Sequence, residues 1–143
     1  MARALLASIF ATAAVSVLVY FNARMELLPA FDLFADIGRF NERIGLPNTS
    51  QAIWLTHAII GVIIFGAVFA IIQPILPGRG AVRGLWFGFI AWLVMMVAFM
   101  PLAQHEIFAL DEGPTAAAMM LGFNLLYGII FGITYSAFGE AND

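Results

Sequence analysis

Histidine is the side chain best suited to proton transfer or metal binding near neutral pH, and this chain of 143 residues has two, His57 and His105. His57 falls two to three turns inside an uncharged apolar stretch. Asn124 sits at the matching depth of another such stretch, and Gly61 and Gly128 follow them by one turn each. A neutral histidine hydrogen-bonds asparagine without bringing charge into an apolar phase. The first expectation is therefore a structural His57–Asn124 pair across two helices, of a kind contributing roughly 0.6–2 kcal/mol. The alternatives are a proton relay or quinone contact, or a metal or haem ligand. A haem b needs two axial ligands, usually His, and His105 lies in or near a loop, less deep than His57. A metal site of His57, His105, Glu106 and Asp111 requires the loop to fold inward, and the spacing matches no tight ligand motif. His105 and Glu106 are expected in water.

Other chemistry is excluded by composition. With no cysteine there is no disulfide, thiolate metal site or thiol nucleophile, and with no lysine there is no Schiff base. The sequence shows no Gly-rich phosphate loop, nucleophile elbow or paired intramembrane carboxylate. No catalytic residue, cofactor-binding residue or metal ligand is assigned, and a non-enzyme is expected. The net charge of −3 is small and scattered and gives no reason to expect a nucleic-acid partner.

The elements that position these residues are apolar helices. Apolar residues make up 63% of the chain and charged ones 10%, against about 45–50% and 25% in soluble domains. Residues 4–22, 52–76, 84–104 and 114–139 carry no charge. A membrane-crossing helix needs about twenty such residues. The reading is an all-α integral membrane four-helix bundle in a single domain, with helices at about 4–21, 51–73, 82–101 and 115–138. The N-terminal stretch continues apolar beyond a signal-peptide core, so it is read as a retained helix.

Between the first two spans, Phe31, Phe34, Ile37, Phe40 and Ile44 recur every three or four positions among mixed charges. That spacing predicts an interfacial amphipathic helix at about 29–44, with Phe and Ile facing the membrane. Asn48-Thr49-Ser50-Gln51 has capping-box spacing at the start of the second span. Pro101 is read as ending the third. Gly84/Gly88 and Gly128/Gly132 form two G-x-x-x-G spacings, and with Gly61 they are the candidate helix-packing residues. Trp54, Trp86 and Tyr20 suit interfacial anchoring, and Met95, Met96, Met119 and Met120 suit packing.

An internal echo accompanies this pattern. A shift of sixty-seven residues carries Pro47, His57 and Gly61 onto Pro114, Asn124 and Gly128, and a shift of sixty-six carries Ile63-Ile64-Phe65-Gly66 onto Ile129-Ile130-Phe131-Gly132. Two parallel helical hairpins are one explanation, and convergence on apolar composition is the other. Arg3, Arg79 and Arg83 fall on one side, Arg24, Arg39 and Arg43 on the other. The short turn holding Arg79 and Arg83 contains no acid, so the positive-inside rule places it and both termini in the cytoplasm.

Thr56-His57, Gly61, Phe65-Gly66, Pro74 and Pro77, Gly84, Phe87-Gly88, Trp92, Met95-Met96, Met100-Pro101-Leu102, Tyr127-Gly128 and Gly132 together resemble the YagU-like group of small, uncharacterised bacterial inner-membrane proteins. The likeness covers residue 52 to the C-terminus. It implies four membrane helices, the bacterial inner membrane and no established activity. In that group the position of Asn124 is often His, so Asn here weighs against a paired-histidine ligand site. The function expected is a structural or accessory subunit of a membrane complex or a homo-oligomer, with the lipid bilayer and partner subunits or self-association as partners. The alternative is a small proton or solute carrier or channel using His57 and Asn124.

Overall fold

The computed structural model describes residues 1–25 and 32–140. The described part is all-helical. Four helices are long and apolar enough to cross a membrane: α1 (Ala2–Met25), α3 (Ser50–Ile72), α4 (Gly80–Leu102) and α5 (Pro114–Glu140). A shorter helix, α2 (Leu33–Arg43), lies between α1 and α3.

The closest pairing is between α4 and α5. Gly84 and Gly88 face Gly128 and the backbone at Asn124, and Gly132 lies against Gly80 and Gly84. A Cβ at Gly84, Gly88, Gly128 or Gly132 would run into backbone atoms of the opposite helix. Where lipid tails are as apolar as the side chains, this close approach is what holds helices together. In the other hairpin, Gly61 rests on Thr12 and Gly66 on Ser8, both of α1. Gly61 echoes Gly128, and Gly66 echoes Gly132. Each echoed glycine therefore contacts the helix that precedes it in its own hairpin.

Phe65 and Phe69 of α3, Phe87 of α4, and Tyr127 and Phe131 of α5 form the aromatic centre, with Phe69 and Phe131 centroids 4.3 Å apart. Toward one end, α1 lines the core with Ala4, Ala7 and Ala11, small residues that let it pack close against α3 and α5.

Two spans change winding partway. Residues Ile59–Ile64 of α3 and Met95–Phe99 of α4 are π-helical. In α4 the π-turn precedes Pro101, which offers no N–H and would otherwise strand a carbonyl one turn back. Pro101 is thus accommodated within the helix, which runs on to Leu102, rather than ending it.

The short helix expected at about 29–44 forms as α2, and its contacts are with the bundle. Residues 29–31, with Phe31, lie outside the described residues. The helix that follows is capped by Asp32, whose side chain accepts from the Ala35 N–H at 3.1 Å. Its buried face is Asp36, Ile37, Gly38 and Asn41. Phe34 packs on Trp54 and Phe40 on Phe99, with centroids 4.7 and 5.3 Å apart, while Ile44 is exposed. The helix therefore sits on the end of the bundle. Its buried face includes polar groups because these find partners in α3 and in the loop after α4. At the start of α3 the capping residue is Thr49, which accepts from Ala52 N–H. Asn48 instead donates to Glu42 Oε1 at 2.8 Å, so the capping box read from Asn48 and Gln51 does not form.

Candidate functional site: a cavity inside the bundle and an ionic cluster at its end

His57 projects from α3 toward α1. Its Nε2 lies 2.8 Å from Ser16 Oγ, and Ser16 Oγ donates its single proton to the Thr12 carbonyl at 2.6 Å. The serine oxygen must then accept from the imidazole, which puts a proton on Nε2 of His57. Trp54 and Phe34 set their rings edge-on to it, at 5.9 and 5.8 Å. Asn124 turns back on its own helix and donates from Nδ2 to the Met120 carbonyl at 2.9 Å. The direct His57–Asn124 hydrogen bond expected from the sequence is therefore replaced by bonds to Ser16 and Met120. Ser16 and Met120 lie closer at hand, and His57 Nε2 and Asn124 Nδ2 bond to them without spanning the interior.

His57 and Asn124 nonetheless line one cavity of about 70 Å³, together with Thr12, Gly61, Tyr127 and a predominantly apolar surround. Leu33 and Ile37 of α2 are also among its lining residues. Both π-turns reach it, through Ile60 and Gly61 on one side and Met95 and Phe99 on the other. A π-turn leaves carbonyls without their usual partners. Here Tyr127 Oη donates to the Gly61 carbonyl at 2.5 Å, and Ser8 Oγ shares its single proton between the Leu5 and Val62 carbonyls at 2.8 and 2.9 Å. Tyr127 carries no signal of this role in the sequence beyond its place one turn after Asn124.

At the α2 end, His105 departs most from expectation. Its side chain is only 8% exposed, so it does not sit in water. Nδ1 lies 2.6 Å from Asp111 Oδ2 and Nε2 lies 3.0 Å from Asp36 Oδ1. Arg39 pairs with the same Asp36 oxygen, lies 2.7 Å from His105 Nε2, and donates from Nε to the Ala103 carbonyl at 3.1 Å. Asp111 in turn accepts from the Glu106 N–H at 2.9 Å. That contact helps hold a loop in which Gln104, Phe108 and Ala109 take left-handed backbone angles (φ 68°, 60° and 50°), an uncommon conformation for residues with a Cβ. Glu106 contributes its backbone rather than its carboxylate. Asp36 and Arg39 were missed as partners. The available signal was an acid and an arginine three apart, one turn, among the mixed charges of that stretch.

Burial opposes the charged form of His105, but the hydrogen bonds to Asp111 and Asp36 and the charges of both outweigh it and raise its pKa above 6.5. Burial raises the Asp36 carboxyl, with the His105 bond and Arg39 pulling the other way. Asp111 is lowered, because the His105 and Glu106 hydrogen bonds exceed its slight desolvation. A raised histidine stabilises the fold fully below its unfolded value and loses that contribution as pH rises through the folded value. Asp36, also raised, acts in the same direction at lower pH. Protection of the α2 amides, corrected for intrinsic exchange, should therefore be greater at mildly acidic than at mildly alkaline pH. His105→Gln should flatten that difference. An unchanged profile in the variant would assign the effect to another group.

His105, Asp111 and Glu112 present donors within 4.8 Å of one another. They are the described residues closest to a metal-binding grouping. Both ring nitrogens of His105 already face carboxylates and Arg39 stands beside Nε2, so the arrangement works as an ion-pair joint between α2 and the 103–113 loop.

Comparison with curated proteins and with solved structures gave no match. The model of a family of unknown function, DUF6789, matches residues 1–143. The chain, with its four membrane-length helices and its short capping helix, belongs to the family of unknown function DUF6789.

Proposed function

We propose that this protein is a non-catalytic membrane bundle of the bacterial inner membrane, serving as a structural or accessory subunit of a larger complex or as a homo-oligomer. The likeness to the YagU-like group is part of this reading, as is the placement of both termini and the Arg79/Arg83 turn in the cytoplasm. The observation that carries it is the use made of polar groups inside the spans. Ser8, Ser16, Thr56, Tyr127 and Asn124 bond to carbonyls or side chains within the chain. Thr56 and Tyr127 reach across to other helices, Ser16 and Asn124 bond back to their own, and the cavity beside them is predominantly apolar, where a conducting path needs a continuous polar lining.

The test is purification of the tagged protein, expressed at native level, in mild detergent, with mass spectrometry of what accompanies it and light scattering of the particle. The expected result is a stoichiometric partner or a protein mass above the 15.5 kDa of one chain. A lone monomer would count against the proposal.

A second reading, a proton or small-solute carrier, is favoured by one observation: His57 and Asn124 share a cavity flanked by two π-turns, a winding frequent at functional sites. The two readings separate at His57→Gln. A structural His57 predicts a folded variant with stability lower by about 1 kcal/mol and no change in proton flux across vesicles loaded with a pH dye. A protein-dependent flux abolished by His57→Gln would make the carrier reading the better one.

A further inference from the structure

At the end of the bundle opposite α2, the structure brings together three arginines that the sequence separates. Arg3 begins α1, while Arg79 and Arg83 flank the start of α4. All three line one groove together with Gly80, Tyr135, Ser136 and Gly139. The Arg3 guanidinium lies over the Tyr135 ring, 3.8 Å from its centroid, so its plane is held in place and does not sweep through solvent. Arg83 is steadied by donating from Nη1 to Gln73 Oε1 at 2.9 Å.

Two observations point to a ligand. Nε of Arg3 and Nε of Arg83 are both shielded from solvent and have no hydrogen-bond partner. Buried polar groups are nearly always partnered, and those that are not call for an explanation such as a bound ion. In addition, α4 starts at this groove with no side-chain cap. Its first backbone N–H groups and the positive end of its dipole therefore face the same space as the guanidiniums. A planar guanidinium presents paired donors that match two oxygens of a phosphate. The groove lies where α1, α3, α4 and α5 end, which is the depth at which phospholipid headgroups meet a four-span bundle.

We infer that the Arg3/Arg79/Arg83 groove binds a phosphate group, that of an anionic phospholipid or a free phosphate. The site does not depend on the function proposed above. Its inner wall is Tyr135 and the α4 start, and its open side faces the headgroup layer.

The test uses the full chain, purified in mild detergent and exchanged into nanodiscs of mixed phosphatidylglycerol and phosphatidylcholine. Lipid retained after extraction is counted by native mass spectrometry. In a separate arm, thermal unfolding in detergent is followed with added inorganic phosphate against chloride at equal ionic strength. The expected result is retention of phosphatidylglycerol over phosphatidylcholine, reduced by about tenfold in Arg79→Gln, as befits the loss of one charge-assisted contact. Arg43→Gln, at the other end of the bundle, should leave retention as it was. Arg79 is exposed, so its variant should keep the elution volume of the parent protein. Stabilisation by inorganic phosphate, with no preference between the two lipids, and loss of that stabilisation in Arg79→Gln would assign the site to free phosphate. No lipid preference and no phosphate effect would overturn the inference, as would equal responses of Arg79→Gln and the parent protein.

Discussion

Gly84→Ala or Gly128→Ala should destabilise the bundle by about 3 kcal/mol or more, which makes these the smallest changes with the largest expected effect. Each added methyl is directed at backbone: the Gly128 carbonyl in one case, the Gly84 carbonyl and Gly88 nitrogen in the other. A flexible side chain could rotate away, but two helix backbones yield only by moving apart along their length. That separation would also loosen the contacts at Gly88 and Gly132. Gly122 is the internal control. It lies on the same helix, and a Cβ there meets nothing within 4 Å. Gly122→Ala should be neutral or stabilise by up to about 1 kcal/mol through helix propensity. Thermal or denaturant unfolding of the detergent-solubilised protein gives the comparison. Equal stabilities for Gly128→Ala and Gly122→Ala would mean that the α4–α5 contact is looser than described.

A comparable loss, about 2–4 kcal/mol, is expected for Asn41→Leu. Asn41 is 0% exposed although it lies on a short helix at the end of the bundle. Its Oδ1 accepts from Thr56 Oγ1 at 2.8 Å and its Nδ2 donates to the Pro47 carbonyl at 3.3 Å. Leucine has nearly the same size but satisfies neither partner. The Thr56 hydroxyl and the Pro47 carbonyl would then remain without their bonds where water has little access. α2 should detach from α3, exposing residues 44–49 to protease while the spanning helices hold. Glu42→Gln, one residue along and exposed, should change stability by no more than about 0.5 kcal/mol. Protection of the 44–49 segment equal to that of the parent protein would show that α2 is held by other contacts.

The two sites differ in how far they were legible beforehand. The helix-packing glycines stood out because small residues one turn apart on an apolar helix have few other uses, and the echo between residues 61–66 and 128–132 pointed at the same positions. For His57 the expected partner was the polar group at equal depth, Asn124. Depth along a helix says nothing about rotation around it. Ser16, which the sequence reading did not single out, was the nearer acceptor. His105 was misplaced for a related reason. A polar loop residue is normally solvated, and only the docking of α2 brings Asp36 and Arg39 to it.

Composition and spacing by themselves determined the four apolar helices, the short helix between the first two, and the close-packing faces. These are local properties: the length of an uncharged run against the thickness of a bilayer, the 3.6-residue period, and the absence of a side chain at regular intervals. The tertiary structure decided which polar groups meet. It seated α2 on the bundle end, wound two π-turns against one cavity, matched Tyr127 and Ser8 to the carbonyls so released, and gathered Arg3 with Arg79 and Arg83. Each of these joins residues far apart in the chain. Which of several comparable hydrogen bonds forms depends on angstrom-level rotation and offset of whole helices, and that is set by the packing of every side chain together.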